Sequence, residues 1–458
     1  MTAGRFDDVT QIVGNTPIVR LNKLGRHLQG TLWAKLEYLN PGGSVKDRVA
    51  FQIVEDAERE GLLRPGGTIV EATSGNTGMG LALAAALKGY KCVFVMPDKM
   101  SHEKIASLRS FGAKVVITPT AVEPDDPRSY YCVSRRIADE TPGAFYANQY
   151  HNQSNPRAHY KTTGPEVWEQ TDGTIDAFFV AAGTGGTLSG TGKYLKEKNP
   201  DVQIVAIDPI GSIYYDYFKT GRMTEANSYK VEGFGEDFLP STMHFDYVDD
   251  VVRVTDKECF LTTRRLVREE GIYCGGSGGG AVAGAIKYAE KVGRPINGVV
   301  IIPDSASKYL SKIFNDDWMR EHGFLDPDNL TGTVADLLGR KGGDDVVTAQ
   351  ATDDVRSVIA SMKKHGYSQL PVLDGRAIVG VVNEADLLRH LLGDAGDAGT
   401  PVRDLVAQDF TIVERSNHIG LLGQFFQLKK VVMVVEGADL VGIITKIDFI
   451  DYVSRRVV

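Results

Sequence analysis

Short apolar runs alternate with longer mixed stretches through the first two-thirds of the chain. The runs "CVFVMP" (Cys92 to Pro97), "KVVITP", "AFFVAAG", "IVAID" and "GVVIIPD" are rich in β-branched residues, and their apolar positions are continuous. Continuous runs of this kind predict strands buried on both faces. Between them, "SVKDRVAFQIVEDAEREGLL" and "DKMSHEKIASLRSFGA" read as amphipathic helices. The alternation up to about Gly323 predicts an α/β fold, with a mainly parallel sheet and helices on both faces. The piece "FLDPDNLTGT" then interrupts with Pro, Asn and Gly and reads as a linker.

Beyond the linker the pattern repeats. "LPVLDGRAIVGVVNEADLL" (Leu370 to Leu388) lies over "VMVVEGADLVGIITKIDFI" (Val432 to Ile450) without a gap. Gly380 matches Gly442, Asn383 matches Thr445 and Asp386 matches Asp448. Each copy reads as strand, glycine-containing turn, strand and helix. A unit this short buries too little apolar surface alone, so the two copies are expected to pack together.

Composition narrows the function. A net charge of −8 argues against nucleic acid or an anionic membrane as the main partner. No apolar stretch reaches the roughly 18 residues a spanning helix needs, and the first residues do not read as a signal peptide. Cys92, Cys132, Cys259 and Cys274 show no CxxC spacing, which suggests neither a disulfide framework nor a zinc site. They read as small buried hydrophobes in a cytoplasmic protein. The histidines show no HExxH or clustered pattern, so no metal is expected.

Four loops carry candidate chemistry. In "NPGGSVKDR" (Asn40 to Arg48) turn residues and Ser44, a candidate N-cap, deliver Lys46 to the first turn of a helix. A cation there faces the positive end of the helix dipole, which suggests a neutral, reactive amine. A lone lysine in such a place is more often a solvated surface group, so the assignment depends on the other loops. In "EATSGNTGMGLALAAALKG" a strand enters a polar loop and then a helix; Thr73, Ser74, Asn76 and Thr77 offer hydroxyls and an amide for an anion such as a carboxylate. Gly75 and Gly78 would let backbone N–H groups approach it. In "AAGTGGTLSG", Gly183, Thr184, Gly185, Gly186 and Thr187 form a phosphate cradle at a helix start, without the lysine of a Walker loop. In "YCGGSGGGAVAG", Ser277 stands among glycines at another helix start. An amine, an anion loop, a phosphate loop and a serine are what pyridoxal phosphate needs.

The order and wording of these loops resemble the cystathionine β-synthases, fold-type II pyridoxal-phosphate enzymes whose fold is tryptophan synthase β-like. The resemblance covers nearly the whole chain, and the repeats Gly380 and Gly442 look like a tandem pair of CBS domains (a Bateman module). It implies a catalytic domain at 1–324, a linker at 325–332 and CBS domains at 333–393 and 400–458. It implies that Lys46 is the Schiff-base lysine and general base, and that "GTGGT" holds the phosphate. Ser277 would meet the pyridine nitrogen, and Asn76 the phenolic oxygen. The substrate carboxylate would lie on Thr73, Ser74, Asn76, Thr77 and Gln149. The implied reaction is condensation of L-serine with L-homocysteine to cystathionine and water, with release of hydrogen sulfide from cysteine as a side activity. A homodimer or larger homo-oligomer is implied.

Two departures stand out. The text starts at "GNTPIVRL" from Gly14, without the haem-binding segment of animal forms, so no haem is expected. Animal forms carry Tyr in the segment matching "VEGFGEDF", where this chain has Glu236, a candidate for the amino group of homocysteine. In the CBS pair, Thr445, Asp448 and Gln369 match positions that contact the ribose and base of an adenosine ligand, S-adenosylmethionine or an adenine nucleotide. Two other readings stay open: a cysteine synthase using O-acetylserine and sulfide, and an adenosine-ligand-sensing protein with an inert catalytic half.

Overall fold

The computed structural model describes residues 5–73, 75–98, 100, 102–120, 122, 126–325, 332–341, 346–393, 396–427 and 431–454. The chain divides into two compact units, Met1–Trp318 and Met319–Val458. Most of the expected linker, residues 326–331, lies outside the described residues.

The first unit holds two sheets where the sequence suggested one. The larger has strands in the order Ile18–Arg20, Thr31–Leu36, Asn297–Ile302, Ala177–Ala181, Gln203–Pro209 and Asp250–Val254. Only the Ile18–Arg20 edge strand is antiparallel. The smaller sheet, in the order Lys114–Thr118, Lys91–Pro97, Thr68–Ala72 and Ala144–Tyr146, is entirely parallel. Run-by-run reading finds strands but not their partners, because each buried run is equally apolar whichever sheet it joins.

The helix Lys46–Arg59 shows why the loops meet. Its residues Val49, Ala50, Ile53, Val54 and Ala57 recur at helical spacing and are buried in one core cluster with Leu81, Ala82, Ala84 and Ala85 of the helix Asn76–Lys88. The two helices cross closely at Gly80. A Cβ at Gly80 would stand 2.8 Å from Ala50 Cβ and 3.0 Å from the carbonyl oxygen of Lys46. The small residue therefore brings the start of the lysine helix beside the start of the Asn76 helix.

The second unit contains two like sheets. Ala349–Gln350 runs parallel to Gln369–Asp374, which pairs antiparallel with Ala377–Asn383. Phe410–Glu414, Val431–Glu436 and Asp439–Ile444 repeat this arrangement. Gly380 pairs with Val372 and Gly442 with Val434, and each register shifts just beyond that pair. Each copy thus has a first strand that the sequence comparison did not mark. The helix Val334–Lys341 adds Val334 and Leu337 to the core of the second copy, although it precedes the first in the chain. Among the described residues no helix is long and apolar enough to cross a membrane.

Candidate active site

The segment Asn40 to Arg48 is fastened at both ends to one buried carboxylate. Asn40 Nδ2 donates to Glu37 Oε2 at 2.9 Å, and Arg48 Nε donates to the same oxygen at 2.7 Å. Arg48 also reaches Glu166 at 2.6 and 2.7 Å, and Lys35 Nζ donates to Glu166 at 2.8 Å. Lys35 and Glu37 are fully buried. Burial alone would raise the Glu37 pKa, yet Arg48 and Lys35 hold it down at about 2. The network clamps the two residues on either side of the loop that presents Lys46.

Lys46 opens the helix, with Val45 as N-cap. Ser44, expected as the cap, instead accepts the Lys46 backbone N–H at 3.3 Å. Among the described residues the Lys46 ammonium makes no hydrogen bond or ion pair with the chain. Burial lowers its pKa to about 8, opposed by the charges of Glu236 and Asp304. The amine expected from the helix dipole is therefore made easier to deprotonate chiefly by desolvation.

One cavity is lined by Val45, Lys46, Asn76, Val180 to Gly185, Thr187, Leu188, Gly233, Ser277, Ile301 and Pro303. It gathers residues from all four loops read from the sequence. Gly186 stands beside it in a tight place, where a Cβ would lie 1.9 Å from Asn155 Oδ1. Asn155 Nδ2 donates to Thr184 Oγ1 at 2.9 Å, and the Thr187 hydroxyl meets His159 Nε2 at 3.1 Å. Burial pushes the His159 pKa well down, so the ring is neutral and can accept from Thr187. Ser277 is 3% exposed, and Gly275 is the cap of its helix. Its hydroxyl has no partner among the described residues, which frees it for a ligand.

The anion loop is partly committed to its own helix. Thr73 Oγ1 accepts the N–H groups of Gly75 at 3.0 Å and Gly78 at 3.2 Å. These two N–H groups, read from the sequence as facing a ligand, thus bond within the loop. Thr77 Oγ1 donates to Gln149 Oε1 at 2.5 Å, which brings together two expected carboxylate contacts far apart in the chain. Ser74 lies outside the described residues.

Glu236 is half-buried near Lys46 and a group of tyrosines. Burial raises the phenol pKa values of Tyr130, Tyr131 and Tyr150, and the charge of Glu236 adds to each. Sequence reading missed a second charged group. Glu232 pairs with Lys104 and with Lys312, the latter at 2.6 Å. Asp304 accepts from Asn76 at 2.8 Å, and Lys308 donates to Asn76 at 2.6 Å. Glu232 lies in "VEGFGEDF", quoted above for Glu236 alone, whereas Lys104, Lys312, Asp304 and Lys308 lie outside the four loops; the signal for the last two was "PDSASKY" at the end of a predicted strand.

In the second unit Gln369 pairs across the strands with Asn383, in the first copy. Thr445 and Asp448 lie in the second copy, where Thr445 N and Oγ1 donate to Asp448 Oδ2 at 2.8 and 2.6 Å. Asn383 likewise accepts the Asp386 N–H at 3.0 Å. Both pairs close the start of a helix.

The cavity suits pyridoxal phosphate by its donor set: an amine and a hydroxyl unpartnered among the described residues, beside the start of the helix Gly186–Lys198, whose cap Gly185 makes no side-chain hydrogen bond. Cys92, Cys259 and Cys274 are buried and Cys132 partly so, and no cysteine is bonded to another. Among the described residues no cluster could hold a metal ion.

The comparisons place the chain among pyridoxal-phosphate-dependent enzymes. The model of the family described as pyridoxal-phosphate dependent enzyme matches residues 9–304, and that of the CBS domain matches 334–393. Cystathionine beta-synthase of Oryctolagus cuniculus is 40% identical, over 98% of this chain and 85% of its own length. Cysteine synthase of Staphylococcus aureus is 42% identical, over 67% of this chain and 96% of its own. The solved structure of a hydrogen sulfide-producing enzyme from Fusobacterium nucleatum is 33% identical with a TM-score of 0.62, covering 67% of this chain and 99% of that one. The family match spans more than half of the chain and the rabbit relative matches it almost end to end, so the chain belongs to the cystathionine beta-synthase family of pyridoxal-phosphate-dependent enzymes.

Proposed function

We propose that the chain catalyses β-replacement, joining L-serine and L-homocysteine to give L-cystathionine and water. The observation that carries this reading is the pair of side chains in one cavity, Lys46 and Ser277, that find no hydrogen-bond partner among the described residues. Pyridoxal phosphate, when bound, supplies an electron-accepting ring that stabilises charge at the Cα of an attached amino acid. Lys46 Nζ would hold its aldehyde end and, when free, would take the proton from Cα of the substrate. Gly183, Thr184, Gly185, Gly186 and Thr187 hold the phosphate, with Thr187 oriented by neutral His159. Asn76 meets the phenolic oxygen. Thr73, Ser74, Asn76, Thr77 and Gln149 hold the serine carboxylate.

Ser277 supports β-chemistry in particular. An acid at this place would keep the ring nitrogen protonated, whereas a neutral hydroxyl can donate to an unprotonated one. The weaker electron sink disfavours a long-lived carbanion and favours loss of the β-substituent. The serine hydroxyl would leave as water with the proton that Lys46 took from Cα, and the homocysteine thiol would give its sulfur to Cβ and its proton, by way of Lys46, to Cα. Glu236 attracts the homocysteine amino group, a role supported by its charge reaching the same pocket as Lys46.

The relatives support two refinements. The hydrogen sulfide-producing relative favours sulfide release from cysteine as a side activity. The cysteine synthase relative keeps O-acetylserine with sulfide as the alternative reaction. We also infer a cytoplasmic homo-oligomer with catalytic residues 1–324, a linker at 325–332 and modules at 333–393 and 400–458. The modules would take S-adenosylmethionine or an adenine nucleotide through Gln369, Thr445 and Asp448. Product identification tests the reaction: one preparation is given serine with homocysteine, then O-acetylserine with sulfide. Cystathionine as the dominant product is expected. Cysteine formed much faster than cystathionine would favour the alternative, and no product in either arm would favour an inert catalytic half.

A further inference from the structure

Past the strand Asn297–Ile302 the chain runs through Asp304 into a short turn, Ala306–Lys308. Lys308 Nζ donates to Asn76 Oδ1 at 2.6 Å and to the Gly43 carbonyl at 3.3 Å. At the other end of the same amide, Asn76 Nδ2 donates to Asp304 Oδ2 at 2.8 Å. The Tyr309 hydroxyl donates to that oxygen too, at 2.7 Å. Asp304 is 1% exposed, and its second oxygen has no partner.

Lysine only donates hydrogen bonds, and an ionised carboxylate only accepts them. An amide has one end of each kind. A cation on its oxygen and an anion on its nitrogen therefore permit one orientation. Turning the amide over would set oxygen against carboxylate and N–H against ammonium, exchanging two charge-assisted bonds for two repulsions. The second N–H of Asn76 has no partner among the described residues, and Asn76 lines the cavity that holds Lys46 and Ser277. Burial lowers the Lys308 pKa, and the charges of Asp304 and Asp47 oppose that shift.

We propose that Lys308 and Asp304 are a positioning pair that fixes the Asn76 amide with its free N–H toward the phenolic oxygen of the cofactor. This rests on the reading of the cavity as a pyridoxal-phosphate site. Lys308 acts through Asn76. Its loss is expected to leave the amide held at its nitrogen end only, by Asp304, and so to weaken its donation to the ring oxygen.

The test uses the full chain without substrates and reads the absorption spectrum and the Kd for pyridoxal phosphate. Lys308→Met should still bind the cofactor. Its absorbance should move from the visible band toward the shorter-wavelength form with a protonated ring oxygen. Its Kd should rise roughly three- to tenfold, the equivalent of one hydrogen bond. Lys308→Gln keeps an N–H donor without the charge and should fall between Lys308→Met and the parent. In an Asn76→Ala chain, adding Lys308→Met should change neither readout further. A Lys308→Met chain that matches the parent would overturn the proposal. So would a Gln variant no nearer the parent than Met, or an equal shift with and without Asn76, which would assign the effect to the Gly43 carbonyl. A parent with no visible band after pyridoxal phosphate is added would defeat the cofactor reading itself, and this inference with it; a normal parent band beside an unaltered Lys308→Met defeats this inference alone.

Discussion

In the first unit the side chains of Lys46 and Ser277 reach a cavity with no hydrogen-bond partner among the described residues, whereas in the second Thr445 and Asp448 bond to each other and close a helix start. Both sets stood out in the sequence for the same reason, as polar residues in a glycine-bearing loop beside a strand. Only the first is left unsatisfied by the fold. A polar group that is sheltered and unpaired costs free energy unless something else meets it. That cost makes Lys46 and Ser277 strong candidates for chemistry. Thr445 and Asp448 already have a structural task, so an adenosine ligand must share or displace their mutual bond.

Removing Lys46 strikes this contrast hardest. Lys46→Ala is expected to lower turnover by about a thousandfold or more and to abolish the visible absorbance of the cofactor, with an unchanged circular dichroism spectrum. Near-normal turnover would place the chemistry elsewhere. The next largest effect falls on the clamp behind it. Arg48→Met leaves Glu37 and Glu166 buried without their guanidinium and should cost about 3–5 kcal/mol, read from the denaturant midpoint of the cofactor-free chain. A loss well under 1 kcal/mol would show that the network is dispensable.

Ser277→Asp sharpens the meaning of an unpartnered hydroxyl. The cofactor should still bind, while the replacement rate falls by roughly tenfold, an energy on the scale of one hydrogen bond. A variant as fast as the parent would remove the argument from a neutral ring nitrogen. The smallest effect is expected in the second unit. Asp448→Ala should cost about 1 kcal/mol as a lost helix cap, visible in a thermal melt. Calorimetry with S-adenosylmethionine, AMP and ATP on the full chain then separates the two tasks. Heat that weakens in the variant supports the ligand site, and unchanged binding leaves Asp448 as a cap alone.

The parts legible in the sequence were those that local chemistry dictates. The runs at Cys92 to Pro97 and in "AFFVAAG" became strands, because continuous β-branched residues need burial on both faces. The loops around Lys46, Gly185 and Ser277 stood out because each sets glycine and a polar side chain at a helix start next to a predicted strand or turn, a pattern suited to an anion. Pairing over long separations was hidden. Nothing near Thr77 in the chain points to Gln149, and nothing near Asn76 points to Lys308. The division of the strands into two sheets was hidden for the same reason. The part that Thr73 plays in its own loop was missed because a hydroxyl suited to an anion is equally suited to two backbone N–H groups.

The central claim is that Lys46 is the amine the fold leaves for the cofactor. Its most direct test is to reduce the cofactor-loaded chain with borohydride, digest it and locate the modified residue by mass spectrometry. The account predicts pyridoxyl phosphate attached to the peptide that carries Lys46, at one group per chain. Attachment to Lys308, Lys104 or another lysine, or no attachment in a chain that binds the cofactor, would contradict it.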